Sequence, residues 1–314
     1  MLPLGWWACK KSDHLTADVP VQYDCNDFCY RVSSTLLEIW STNHVPFNNP
    51  SSIQRRLKTF VINKLNALLH GTAPRFALRG GYWTSKPRLG SDVENILFYN
   101  FFGGTSPKVC EELPIVSFEK LPSPPSEFQS PKEGFHHFYS YHIAPRHSDF
   151  ERGRCNTLLS FEDARVGNVK DLESPGPIWL GVRRAIEASH AVCGPLGSAF
   201  GLRIAIGVPK ANYRPIKIKA IFDGVVSALH RHDGTERVRV VDELARDLGA
   251  GAEEVERHLF SPNTFPLGEH NMFRYSTNLA FNPRDDFCVA GEVRLEKALP
   301  LDEISLEGQI VQFC

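Results

Sequence analysis

Methionine is scarce in this sequence, clustered cysteine is missing, and neither sign of charge dominates. Two Met against 21 Phe in 314 residues leave the packing of the core to aromatic rings. Thirty-five Lys and Arg balance 36 Asp and Glu at a net charge of −1, which excludes a globally basic nucleic-acid coat and leaves room only for a local basic groove. No run of about 18 apolar residues occurs, so no helix is expected to span a membrane. The GxSxG and GxxxxGK patterns are absent, which removes the nucleophile-elbow and phosphate-loop readings. The 22 prolines and 23 glycines follow no repeat, so collagen-like and low-complexity readings fail.

What is present is an ordinary globular chain, 42% hydrophobic and 23% charged, long enough for one large or two modest domains. The eight cysteines are Cys9, Cys25, Cys29, Cys110, Cys155, Cys193, Cys288 and Cys314. They are too dilute for a disulfide scaffold and fit buried thiols in a reducing cytoplasm. Cys25 and Cys29 have no second pair to complete a zinc site. The opening MLPLGWWACKKSDH has no basic residue ahead of its apolar stretch and reads as a docked segment, not a signal peptide.

The fold class expected is α+β, as two tandem strand–loop–helix–strand units with mixed, antiparallel-rich sheets. A first unit covers 1–120, a Pro/Ser linker 121–134, and a second unit 135–314. The linker LPSPPSEFQSPKEG can continue neither a helix nor a central strand. Within the first unit, SSIQRRLKTFVINKLNALLHG predicts a helix with a serine cap, an apolar stripe from Ile53 to Leu69 and Gly71 as its C′ residue. Its Arg55, Arg56, Lys58 and Lys64 read as a solvated face, with phosphate contact as the alternative. RFALRGGYW reads as a strand, residues 95–102 as a buried helix ending at Gly103-Gly104, and LPIVSFEKLP as a strand. Later, LRIAIGV, IKIKAIFDGVVSALH and FCVAGEVRLEKALP repeat that order, which suggests an internal duplication around 75–120 and 200–300. Between them, about 236–260, VRVVDELARDLGAGAEEVERHLF predicts two short helices. The rhythm is that of a helix-turn-helix, but Glu253, Glu254 and Glu256 on the second helix would repel phosphate, so a packing hairpin is expected.

Several side-chain sets bear on chemistry. In FHHFYSYHI, adjacent His136 and His137 point to opposite faces of a strand. His136 and His142 share a face but stand ~20 Å apart, too far for one metal ion. His147 lies beyond that strand. His230, His232 and Asp233 are metal-capable types, though a helix C-terminus favours histidine without any ligand. The carboxylate sets are Asp92 with Glu94, Asp223, and Asp285 with Asp286. Fixed carboxylates are what Mg²⁺-dependent phosphodiester hydrolysis requires. Each set also has a structural use: Asp92 and Glu94 as helix caps, Asp223 as the partner of Lys219 one turn earlier, Asp285 and Asp286 as a turn after Pro283.

AIFDGVVSALH followed by DDFCVAGEVRLEK resembles the later part of RusA-type Holliday-junction endonucleases, over about 40 of the 314 residues. The resemblance matches Asp223 to the family's helix Asp, Asp285 and Asp286 to its Asp-Asp pair, and Lys297 to its Lys. The family's Asp-x-Asp-Asn has no counterpart at Pro215-Ile216-Lys217-Ile218, whereas Asp92-Val93-Glu94-Asn95 stands at the corresponding place in the first unit. On that resemblance Asp92, Glu94, Asp223, Asp285 and Asp286 would hold Mg²⁺ and Lys297 would steady the leaving phosphate. The chain also resembles bacterial proteins that lend it no activity. The primary expectation is a non-catalytic α+β scaffold or partner-binding protein, a degenerate nuclease relative. The alternative is a Mg²⁺-dependent, nuclease-like enzyme acting on branched or structured nucleic acid. Neither reading involves a membrane.

Overall fold

The chain divides into two α+β units: Met1–Cys155 with Val289–Glu292 and Cys314, and Asn156–Cys288 with Val293–Phe313. The computed structural model describes residues 21–24, 27–46, 48–69, 76–86, 92–102, 115–125, 128–130, 133–145, 155–189, 199–208, 218–260, 266–275, 279–297 and 303–313. Residues 1–14, Gly71, Gly103-Gly104, His147 and Pro215 to Lys217 lie outside these.

The first unit contains β1 (Gln22–Asp24), β2 (Phe28–Val32), β3 (Leu36–Ser41), α1 (Ser52–Leu69), β4 (Phe76–Thr84), a π-helical turn (Asn95–Tyr99) running into α2 (Asn100–Phe102), β5 (Ile115–Lys120) and β6 (His137–Pro145). Its strands run in the order β1-β2-β3-β6-β4-β5. The pairs are antiparallel except β4 with β5, so the sheet is mixed and antiparallel-rich. A capping box starts α1: Ser51 Oγ accepts from Gln54 N (3.3 Å) and Gln54 Oε1 accepts from Ser51 N (2.7 Å). Leu57, Val61, Leu65 and Leu69 form its buried stripe, at the helical spacing the sequence shows.

Alternation along β6 sends its residues to opposite faces. Tyr139 and Tyr141 pack against Phe101, and Tyr141 Oη donates to the Leu97 carbonyl (2.8 Å). Gly80 admits that helical turn, since a Cβ there would meet Leu97 and Phe98 at 3.1 Å. On the other face Phe138 joins Cys29, Trp40, Phe128 and Phe135, flanked by Trp83 and Leu121. The 121–134 stretch has no helix or strand among its described residues, as its prolines dictate. It is not the boundary expected, however. The strand beyond it, β6, is hydrogen-bonded between β3 and β4, so the first unit continues to Cys155.

The second unit contains β7 (Cys155–Gly167), a 3-10 turn (Val169–Glu173), α3 (Pro175–Ser189), β8 (Phe200–Val208), α4 (Ile218–Ala228), β9 (Arg231–His232), α5 (Arg237–Leu248), α6 (Ala252–Phe260), β10 (Glu269–His270), β11 (Phe273–Tyr275), β12 (Leu279–Phe281), β13 (Cys288–Lys297) and β14 (Ile304–Phe313). Its main strands run β13-β8-β14-β7. Alternate residues Leu202, Ile204, Ile206 and Val208 of β8 are buried, as are Leu306 and Ile310 of β14. Helices α3 and α4 approach closely at Gly224, where a Cβ would stand 2.7 Å from Ile178 and from the Pro175 carbonyl. The α5–α6 hairpin turns at Gly249, whose φ of +60° suits glycine. Its second helix reaches α3 through Arg184–Glu254 (2.8 Å) and Arg257–Glu187 (3.4 Å), which is packing use of the face that a helix-turn-helix would offer to DNA.

The two units share a strand order. In the first, β3, β4, β5 and β6 lie as first-last-second-third; in the second, β7, β8, β13 and β14 do the same. A helix follows the first and the second of these strands in each unit. Among the described residues no helix is long and apolar enough to cross a membrane.

Candidate functional site

The carboxylates singled out from sequence divide between the units. In the first, the Asp92 side chain accepts a hydrogen bond from Asn95 Nδ2, and its carbonyl accepts from Ile96 N (3.1 Å). Glu94 is buried at the N-cap of the π-helical turn. In the second, Lys219 Nζ lies 2.6 Å from Asp223 Oδ1 and 3.8 Å from Asp285 Oδ2, with all three side chains largely buried. One ammonium therefore stands where two carboxylates meet. Asp286 sits outside that pair and faces Arg284 at 3.8 Å. Cys288 N donates to the Asp285 carbonyl (2.8 Å), closing the turn expected after Pro283. Lys297 ends β13. Among the described residues no group of three or more His, Cys, Asp or Glu side chains is arranged to hold a metal ion.

The histidines of LHRHD are occupied with packing. His230 Nε2 accepts from Arg284 N (3.2 Å), and its ring stands 5.2 Å from that of His270. Burial, then the nearby His270, lowers its pKa to about 4. His232 is buried against Phe260 and Phe273, with Nε2 2.9 Å from the Thr235 carbonyl. His258 on α6 is buried edge-on to Trp179 and lies 3.4 Å from Glu187.

Sequence reasoning missed a polar cluster in the first unit. His137 pairs with Ser41 of β3 on one side and Thr84 of β4 on the other. Tyr82, two residues before Thr84, lies diagonally across on the same face, and its Oη is 2.8 Å from His137 Nδ1. Which group donates in that bond is set by the imidazole tautomer. The His44 ring is 5.8 Å from that of His137. Burial lowers the His137 pKa to about 3, with His44, Lys86 and His136 adding to the effect, and burial raises Tyr82 to about 12. His44 is lowered as well, by burial and then by Lys86. His136, on the opposite face, bonds Ser85 Oγ (2.9 Å). The signal in the sequence was the alternation of FHHFYSYHI; the partner strand that supplies Tyr82 appears only with the register.

No family model matches the chain, and no curated protein matches it. A solved crystal structure of a chorismatase is similar over 94% of this chain and 80% of that chain, at 11% identity and a TM-score of 0.21. A correspondence that loose assigns neither a fold nor an activity.

Proposed function

We propose that the chain is a non-catalytic α+β scaffold or partner-binding protein, a degenerate relative of metal-dependent nucleases. The observation that carries this reading is Lys219, which donates to Asp223 and neighbours Asp285. A magnesium site needs those carboxylate oxygens free to replace water around the ion. An ammonium between them supplies the compensating charge instead. The shared strand order of the two units supports an internal duplication, in which half-sites diverged. Cys29 and Cys288 are buried free thiols, which supports a reducing, cytoplasmic setting.

One observation favours the second reading, a Mg²⁺-dependent nuclease on branched or structured nucleic acid: Asp223 and Asp285 do approach one point. Calorimetric titration with MgCl₂, paired with a cleavage assay on four-way-junction DNA, separates the two. The scaffold reading expects no saturable heat and intact DNA. Magnesium binding accompanied by cleavage, both lost in Asp223→Asn, would establish the nuclease instead.

A further inference from the structure

We propose that the second unit binds an extended, basic peptide segment as an added strand along β7, in the groove between that strand and α3. The order β13-β8-β14-β7 ends at β7, so its outer edge has no ladder partner among the described residues. A free edge presents alternating N–H and C=O groups with which an extended chain can pair. Beside it lies a groove of about 800 Å³, lined by β7 from Ser160 to Asp163, by Arg165 and by one stripe of α3. That stripe is Gly181, Ala185 and Ala188, which recur at helical spacing. One end is closed by contact, since a Cβ on Gly181 would stand 2.5 Å from the Arg165 carbonyl oxygen. Further along, the short side chains of Ala185 and Ala188 leave the space beside the strand unfilled.

The span from Ser160 to Arg165 suits an added strand of about six residues. Alternation directs every second peptide side chain under α3, beside the two alanines and the buried Phe161, where apolar groups fit. The intervening side chains stand opposite Ser160 and Glu162. Charge sets their sign. Of the charged groups that line the groove, Arg165 is paired with Asp163 (3.2 Å) and Arg184 with Glu254 (2.8 Å). Glu162 and Glu303 are exposed and, among the described residues, form no ion pair. Lys or Arg side chains of a partner complete them. A second copy of the chain matches less well, because its β7 carries Glu162 and Asp163 against a single Arg165. The inference rests on the partner-binding reading and gives the partner its chemistry: a segment of alternating basic and apolar residues, bound by strand addition.

The test is fluorescence anisotropy of the labelled peptides Lys-Val-Lys-Leu-Lys-Val, Glu-Val-Glu-Leu-Glu-Val and Lys-Pro-Lys-Pro-Lys-Pro, each titrated with the intact chain. Only the first should bind saturably; the proline peptide keeps the charge but loses amide donors. Ala188→Trp fills the groove from an exposed helix position, and Glu162→Lys reverses an exposed charge. Each should weaken binding about tenfold while melting at the wild-type temperature. Amide hydrogen exchange should slow along β7 when the first peptide is added, and nowhere in the first unit. No saturable binding, equal binding of the proline peptide, or an affinity that both variants leave unchanged would overturn the groove. Protection of β7 in the free chain that rises with protein concentration would overturn it in favour of a second copy. Those failures leave the partner-binding reading with another surface, whereas magnesium-dependent cleavage of DNA would remove that reading and leave the peptide result as it is.

Discussion

A Cβ placed on Gly308 would stand 2.2 Å from Cζ of Phe161. The two residues belong to neighbouring strands, β14 and β7. The buried Phe161 ring fills the volume that a side chain at 308 would take, between Leu306 and Ile310 on the same face. Gly308→Ala should therefore destabilise the second unit by about 1–3 kcal/mol, the usual cost of overpacking. Urea denaturation measures it. Adding Phe161→Leu should recover part of the loss; strict additivity would mean that the ring is not the obstacle.

Lys219 offers a sharper test of the second unit's carboxylates. Lys219→Gln removes the ammonium that Asp223 and Asp285 share and should cost about 1–3 kcal/mol. The variant, unlike wild type, should then gain melting temperature in millimolar MgCl₂, because a divalent ion can replace the lost charge. Asp223→Asn keeps the lysine and the Asp285 carboxylate, so no charge is left uncompensated and its cost should be smaller, about 1 kcal/mol. Thermal melts of the three proteins with and without magnesium give all of these comparisons.

Acid stability follows from His137 and His230, whose pKa values are lowered to about 3 and about 4. Each ring is neutral in the fold but takes a proton in the unfolded chain near its ordinary value of 6.5. Between those values the unfolded state binds more protons, so stability is fully present above pH 6.5 and declines as pH falls towards 4. Each ring contributes a slope approaching ~1.4 kcal/mol per pH unit. Replacing His230 by Asn should remove one proton from the linkage. The check is urea midpoints at stepped pH; an unchanged slope in that variant would mean that His230 titrates alike in both states.

Periodicity made α1 and α4 legible, because their apolar residues recur at helical spacing and each buries that face. Two other elements were hidden for physical reasons. Helix α3 opens on Pro175-Gly176-Pro177, which reads as loop, although proline is well suited to a first helical turn. Strand β7 loses its alternation at Glu162 and Asp163, both exposed, where Asp163 adopts φ 50° and shifts the pattern by one residue. The Asp223–Lys219 pair was legible because i,i+4 contacts are local. The contact of Lys219 with Asp285 and that of Tyr82 with His137 were not, because each joins residues more than 50 positions apart, and only the folded chain sets that geometry.

The proline-rich stretch was expected to be a linker, yet it holds one aromatic anchor with a definite task. Phe128 is 3% exposed, its carbonyl accepts from Trp40 Nε1 (2.9 Å), and its ring lies 4.4 Å from the Arg31 guanidinium. Arg31 in turn pairs with the buried Glu38. The stretch thus straps an aromatic sheet face that its neighbours Pro122 and Ser123, both exposed, do nothing to cover. Phe128→Ala should cost about 3–5 kcal/mol, since it opens a cavity beneath Trp40 and removes the cation–π contact. The loosened strap should also be cut faster by proteases within 121–134. Limited proteolysis followed by mass spectrometry, together with Trp fluorescence, reads both effects. Cleavage within 121–134 no faster than in wild type would show that the strap is held elsewhere, by Phe135 or Leu121, and that Phe128 merely accompanies it.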